Sequence, residues 1–423
     1  MRKLLSILAL ILSFILIVGC AKNSIDDRYR GDIKDGVDES YFKSAGKASD
    51  PSSGNGGDKP QAGQLTASEW SDLENYEFYL SLFQSNQENE QGIFTPYLEN
   101  GYFDTLNMVK VTVKNEAEEL ISGASVELRN ENQNLIYKAV TNKNGVAYLF
   151  PKTNELEAIS SLIVKHNEAV LTEEYEYSTD NNDLVITLNT EDNHQDVIEI
   201  MFVIDTTGSM GDEIDYLKAE IDYVMTSIKE DNPNTTVKLA LLFYRDKGDQ
   251  YITRYFDFTT NIETQKNNLS KQYAAGGGDF EEAVDIALDE AVAQRWSDDN
   301  TTKLIIHVLD APPHNRTEEM TRYYNAIMTA SQKGIRLIPV ASSGINKYTE
   351  YLLRNEAMMT GGTYVFLTNH SGIGNEHLEA TVGETVVEYL NHLLVRVINE
   401  YHTGVKGKKI PYNQGYDEDI YVE

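Results

Sequence analysis

The chain is short of three things: cysteine, cationic side chains, and the spacing patterns of catalytic histidines. Its single cysteine, Cys20, excludes an intramolecular disulfide. Lys and Arg number 36 against 67 Asp and Glu, a formal net charge of −31. That balance argues against nucleic acid, whose phosphates need Lys and Arg to displace counterions. It argues equally against a protein surface held to anionic lipid. Acidity of this size keeps a protein soluble and attracts cations. No HExxH occurs among the 8 histidines. Gly276-Gly277-Gly278 is not followed by Lys-Ser/Thr. Gly404-Val405-Lys406-Gly407-Lys408-Lys409 lacks a preceding strand and a closing Ser/Thr, so neither is a phosphate-binding loop. The expectation is a protein that is not an enzyme.

What is there begins with the leader. Arg2 and Lys3 precede an apolar run from Leu4 to Val18, too short for a comfortable membrane span and laid out as a secretory signal. The run ends at Gly19-Cys20, which resembles the bacterial lipoprotein box. That resemblance implies diacylglycerol transfer to the Cys20 thiol, cleavage after residue 19, and acylation of the new amine. Two or more acyl chains anchor a protein stably, where one is marginal. The expected location is the cell envelope: exported, lipid-anchored to a membrane, at the outer membrane or cell surface. Ala21 rather than Asp after Cys20 favours the outer membrane in a two-membrane bacterium. With Cys20 in the anchor, no cysteine nucleophile remains.

Residues 20–64 read as a disordered tether. The stretch from Asp50 to Pro60 has almost nothing to bury and cannot offset its ordering entropy. Arg30-Gly31-Asp32 in this stretch matches the integrin-recognised tripeptide, a match short enough to recur by chance. Residues 65–100 read as a helical segment. Thr66 and Glu69 have capping-box spacing, and Trp70, Leu73, Tyr76, Tyr79, Leu80 and Phe83 recur at helical spacing. The aromatic stripe is expected to dock on a neighbouring domain. Residues 101–192 change period. Val109, Val111 and Val113 alternate with Lys110 and Thr112, and Asn144-Gly145 between two apolar runs signals a hairpin. Short alternating strands with frequent turns predict an all-β sandwich. The phrase from Val109 to Phe150 resembles the carboxypeptidase-regulatory-like and collagen-adhesin B-type family, which implies a stalk or spacer. Some relatives close a Lys–Asn isopeptide bond, but Lys110 falls opposite the valines and no such bond is expected.

From residue 193 to 402 the pattern becomes α/β. Val197 to Ile204 is apolar on both faces, as in the middle of a parallel sheet covered by helices. Further strands are predicted at Val237–Phe243, Leu304–Leu309, Leu337–Ala341 (despite Pro339) and Thr363–Leu367. Helices are predicted from Ile214 to Ile228 and at Glu281–Gln294, Thr317–Gln332, Tyr348–Met358 and Thr385–Glu400. This alternation is a doubly wound, Rossmann-like fold, whose ligands bind beyond the carboxyl ends of the strands. Asp205 and Asp310 each close a strand there.

Asp205-x-Thr207-x-Ser209 resembles the DxSxS/T signature of von Willebrand factor A domains. The Gly276–Asp279 loop lies where that family supplies a threonine, and Asp310 where it supplies its last aspartate. Tyr244-Arg245-Asp246 and Asp310-Ala311-Pro312-Pro313-His314 look like a bacterial branch of the family. The resemblance implies a MIDAS-type site for a divalent cation, Mg²⁺ first, with Mn²⁺ or Ca²⁺ as alternatives. Hydroxyls and carboxylates are the hard oxygen ligands such cations take. The residues implied are Asp205, Thr207, Ser209, Asp279 and Asp310. In the family an open coordination position receives a partner protein's carboxylate. Here Asp279 replaces the threonine. Either it ligates, making the site more anionic and better suited to a carbonyl, or it caps the following helix. Arg245 and His314 stand behind the ligands: Arg245 as a salt-bridge partner for nearby acids, His314 as a supporting group, a pH-sensitive contact, or packing beside the prolines. Ser209 bound to metal is poorly placed as a nucleophile with His314 as base.

The resulting expectation is a metal-dependent protein-binding or adhesion lipoprotein. An envelope scaffold with a structural metal is the second reading and a metal-dependent hydrolase the third. The helix over Thr385–Glu400 is followed by a tail, residues 403–423, with Asp417, Glu418 and Asp419. A weak or absent relay through that helix is expected.

Overall fold

The computed structural model describes residues 60–85, 91–98 and 101–414. The leader, Cys20, Arg30-Gly31-Asp32, most of the tether and the acidic end of the tail lie outside the described residues. Among the described residues no helix is long and apolar enough to cross a membrane.

The first element departs from the helix expected over residues 66–86. Thr66–Trp70 is a strand (β1), and among the described residues before residue 100 only Tyr76–Ser81 (α1) and Thr95–Leu98 (α2) are helical. Tertiary pairing overrides the local capping pattern. Ala67 pairs antiparallel with Leu367 on one side and with Glu388 on the other. Glu69 reaches Arg396 at 2.9 Å instead of folding back on Thr66. The aromatic stripe does dock: Tyr79 is buried, and the Phe83 and Phe94 rings lie 6.3 and 5.3 Å from that of Tyr351.

Seven strands follow: β2 (Val109–Lys114), β3 (Ser125–Asn130), β4 (Leu135–Val140), β5 (Val146–Leu149), β6 (Ile159–His166), β7 (Ala169–Glu174) and β8 (Asp183–Thr187). They form a three-stranded sheet, β5-β2-β8, and a four-stranded sheet, β4-β3-β6-β7. Val109, Val111 and Val113 share one buried cluster with Val126, Leu128 and Val164 of the other sheet. Lys110, on the opposite face, pairs with Asp183 at 2.9 Å. The Asn144-Gly145 turn is not a hairpin turn, because β4 and β5 lie in different sheets. Asn142 Oδ1 accepts the amides of Asn144 and Val146. Gly145, at φ +67°, passes close to β2: a Cβ there would lie 2.6 Å from the Val113 carbonyl oxygen. The glycine thus turns the chain across the layer.

The rest of the chain builds on β9 (Val197–Asp205), α3 (Ile214–Asp231), β10 (Thr236–Tyr244), β11 (Thr253–Thr259), α4 (Ile262–Leu269), α5 (Val284–Ala293), β12 (Thr302–Leu309), α6 (Thr317–Lys333), β13 (Ile335–Ala341), α7 (Lys347–Thr360), β14 (Tyr364–Leu367), β15 (Glu388–Tyr389) and α8 (Leu390–Thr403). One eight-stranded sheet runs β11-β10-β9-β12-β13-β14-β1-β15. β10, β9, β12, β13 and β14 are parallel; β11 and β1 are antiparallel to their neighbours. Pro339 is tolerated in β13 because β14 joins only at Val340 and Ala341. The last helix starts later than Thr385. Val386 accepts a bond from Ser68 and Val387 one from the Tyr412 amide, so those residues are extended beside β1.

The two-sheet layer therefore enters the chain between two strands of the eight-stranded sheet. It rests on α6 and α7. Tyr137 donates to the Met359 carbonyl at 3.1 Å, and Arg336 to that of Val140 at 2.7 Å. One buried apolar cluster spans both parts.

Candidate metal centre

Three loops meet beyond the carboxyl ends of β9 and β12. The first is tied to Asp205. Its Oδ1 accepts the Thr207 amide (2.8 Å) and the Thr207 hydroxyl (2.7 Å), and Thr207 Oγ1 lies 3.1 Å from Ser209 Oγ. Asp205 and Thr207 are buried, while Ser209 is exposed at the mouth.

The second loop is stitched onto the first. The Ala275 amide donates to Thr206 at 3.0 Å and the Gly208 amide to Gly276 at 3.1 Å. Gly276 and Gly277 have φ of +83° and +76°, and a Cβ on Gly277 would sit 2.9 Å from Glu282 Oε1. Only glycine lets this backbone pass so close. The third loop then positions Glu282 itself: its amide donates to the Pro312 carbonyl at 3.0 Å.

Glu282 is the acid that sequence reasoning missed. It is 2 % exposed, and Asp205 and Asp310 are the buried carboxylates it faces. Asp279 belongs to a second group, two acids and a histidine, that could hold a cation. It is exposed and groups with Asp246 and His314, their ligand atoms within 4.8 Å of one another. Nor does it cap α5, whose first turn begins after Ala283 without a side-chain cap. A Glu281-Glu282 pair at a predicted helix start carried no signal, because the Pro312 contact that aims Glu282 is tertiary.

His314 Nε2 lies 2.8 Å from Asp246 Oδ1, so it supports that acid. Among the described residues Arg245 makes no carboxylate pair. It donates to the Thr206 and Tyr273 carbonyls at 3.1 and 2.8 Å and lies 4.6 and 5.1 Å from the Tyr251 and Tyr273 rings. The expected salt bridge is replaced by bracing of the first two loops. Beneath the site, buried His307 holds Glu356 at 2.9 Å, and Tyr323 donates to the same carboxylate at 2.6 Å.

The electrostatics are those of a group short of positive charge. Burial pushes the Asp205 carboxyl up, against the bonds from Thr207. Burial and the Asp205 charge hold Asp310 well above the usual carboxylate range. Burial, then the charges of Asp205, Asp246 and Asp310, push Glu282 up to about 10. Asp205 Oδ2, Glu282 Oε2 and Asp310 Oδ1 are all buried without a hydrogen-bond partner. Buried polar atoms are ordinarily paired, and buried charges are paired or bind metal. Carboxylates and hydroxyls are the hard oxygen donors a divalent cation takes, although Asp205, Glu282 and Asp310 do not close to within 4.8 Å of one another as Asp246, Asp279 and His314 do.

Residues 199–369 match the von Willebrand factor A domain family. The chain carries a von Willebrand factor A domain. An ariadne-like RING finger protein of Acanthamoeba polyphaga mimivirus is 26% identical over 220 residues, 50% of this chain and 22% of that protein. The alpha-protein kinase vwkA of Dictyostelium discoideum is 27% identical over 120 residues, 28% of this chain and 19% of that protein. The chain thus spans about a fifth of the length of these curated relatives. Among solved structures, BatB from Bacteroides thetaiotaomicron is 13% identical with a TM-score of 0.31, covering 40% of this chain and 89% of that one. The open conformation of the pilus adhesin SpaC from Lactobacillus rhamnosus GG is 13% identical with a TM-score of 0.34, covering 57% of this chain and 32% of that one.

Proposed function

We propose that the von Willebrand A domain binds one divalent cation, Mg²⁺ first, through Asp205, Thr207, Ser209, Glu282 and Asp310, and that this site recognises a partner protein. The observation that carries the reading is the set of three buried carboxylates, each with an unpaired oxygen. A bound cation would neutralise the repulsion among them. With three carboxylates around it, the cation is a weaker electrophile than one held by two. A carbonyl or amide oxygen of the partner therefore suits the open position better than a carboxylate. Exposed Ser209 marks the side from which that oxygen arrives.

The rest of the reading places this domain outside the cell. The Gly19-Cys20 leader supports a lipid-anchored envelope protein, and the all-β sandwich serves as a spacer braced on α6 and α7. No catalytic role is assigned to the site.

Calorimetric titration of the EDTA-treated full chain with Mg²⁺, Mn²⁺ and Ca²⁺ tests the metal claim. Saturation at one equivalent is expected, with stabilisation of about 2.7 kcal/mol at 100-fold excess over Kd. Partner capture that survives both EDTA and Asp205→Ala would leave the metal only a structural role.

A further inference from the structure

The opposite end of the parallel strands, where β12 and β13 begin, holds a cavity rich in cations. It has a volume of about 550 Å³ and is lined by loops of the two-sheet layer, the loops before β12 and β13, and Tyr401. Five cations line it, Lys143, Lys165, Lys303, Lys333 and Arg336, of which Lys143 and Lys165 pair with Asp192 and Glu127 outside the lining at 3.6 and 3.5 Å. Its only acids are Asp298 and Asp299, both exposed. In a chain with nearly twice as many acids as bases, this local excess is a departure from composition.

Two of the cations are buried without a carboxylate in ion-pair contact among the described residues, though Glu199, Asp298 and Asp299 lie near Lys303. Lys303 is 8 % exposed, and its ammonium has no hydrogen bond or ion pair among the described residues. The nearby Glu199 is already taken by Lys238 at 3.0 Å and by the Ser297 hydroxyl at 2.7 Å. Burial holds the Lys303 ammonium below the usual lysine range. Arg336 is 7 % exposed and bonds only the carbonyls of Thr360 and Val140, at 2.8 and 2.7 Å. The Lys303 stem is buried while its ammonium, which bonds no described residue, opens on the cavity, a placement that points to a ligand that pairs with it.

We propose that this cavity binds an organic anion of sugar-phosphate or uronate size, its charged group on Lys303 and Arg336. A bare inorganic anion would fill a small part of the space, which lies within the range of small-molecule sites. The walls are polar, with Asn167, Gln195 and Gln332 among them, and suit a hydroxylated body rather than an apolar one. Lys303 stands near the start of β12, and the metal loops follow its end. At about 3.3 Å per residue, an eight-residue strand keeps the two sites more than about 20 Å apart. The anion therefore does not compete with the cation, and the inference stands apart from the metal reading.

Calorimetry on the full chain with glucose 6-phosphate, glucuronate, inorganic phosphate and glucose tests it. Binding of either anionic sugar, tighter than inorganic phosphate and with none for glucose, is the expected result. The ratio of the two sugars tells a phosphate ligand from a carboxylate one. Lys303→Met should weaken that binding by about tenfold or more while raising the Tm of the ligand-free protein, a gain that shows the variant folds. Lys143→Ser, at the rim, should weaken it less. The proposal is overturned if neither anionic sugar binds, if glucose or inorganic phosphate binds as well as they do, or if Lys303→Met leaves their affinity unchanged.

Discussion

Glu282→Gln is expected to raise the Tm of the cation-free protein by about 5 °C while weakening cation binding by about 100-fold. The two effects have one cause. Without a cation, burial and the charges of Asp205, Asp246 and Asp310 keep Glu282 protonated, its pKa pushed up to about 10. Gln keeps the shape of the protonated acid and has no proton to take up on folding, so the empty site is no longer destabilised at neutral pH. The same change takes a ligand oxygen from the cation. A structural or capping role for Glu282 predicts a lower Tm, and that outcome would remove it from the site. Parallel thermal scans and Mg²⁺ titrations of wild type and variant decide the matter.

The pH dependence follows with a definite sign. The unfolded Glu282 titrates near the ordinary glutamate value of 4.5, while the folded one is pushed up to about 10. Below the lower value both states hold the proton and nothing is lost. As pH rises above it, the unfolded chain releases the proton while the cation-free fold keeps it, so the fold loses stability. A bound cation displaces that proton and removes the loss. The increase in Tm produced by Mg²⁺ should therefore grow from about pH 5 to about pH 8. A constant increment across that window would mean that the cation sits elsewhere.

Arg354→Met should destabilise the protein by about 3–5 kcal/mol. Arg354 is fully buried and grips Asp72 through two bonds, at 2.8 and 2.5 Å. Its third nitrogen donates to the Thr381 carbonyl at 2.5 Å. Its guanidinium also lies 5.7 Å from the Tyr79 ring and 5.2 Å from that of Phe94. Removing the cation strands Asp72, itself 5 % exposed, with only the Trp70 indole as donor. Replacing both residues, Arg354→Met with Asp72→Leu, should recover much of the loss, because no lone charge is left behind. Denaturant unfolding of the two single variants and the double variant measures the coupling. Single variants whose effects merely add would show that the pair does not act as a unit.

How much of this was legible in the sequence depended on where each residue finds its partners. β9 and β12 announced themselves because strands buried on both faces must be apolar throughout. Asp205 and Asp310 were found because a strand end in a parallel sheet fixes where the next side chain goes. β1 was hidden: Thr66 and Glu69 satisfy a local helix-start pattern, whereas the contacts that decide their fate come from β14, β15 and α8. Asn144-Gly145 gave the turn correctly, but whether a turn joins neighbours in one sheet or crosses between two is set by packing on β2. Glu282 was missed for the same reason. Its backbone is aimed by Pro312 and its side chain by the close approach of Gly277, and neither contact has a spacing that a linear reading detects.

The position of β1 also bears on how the protein is made. Thr66 bonds Thr368, 302 positions later in the chain. At ribosomal speeds of roughly 5–20 residues per second, that interval is about 15–60 s. During it the β1 segment has left the ribosome with neither of its strand partners synthesised. The two-sheet layer is completed in the meantime, since all seven of its strands lie between β1 and β9. Once folded, it shortens the loop that must be closed when β14 emerges. An unpaired strand segment waiting for partners made so much later is a place where a chaperone would act.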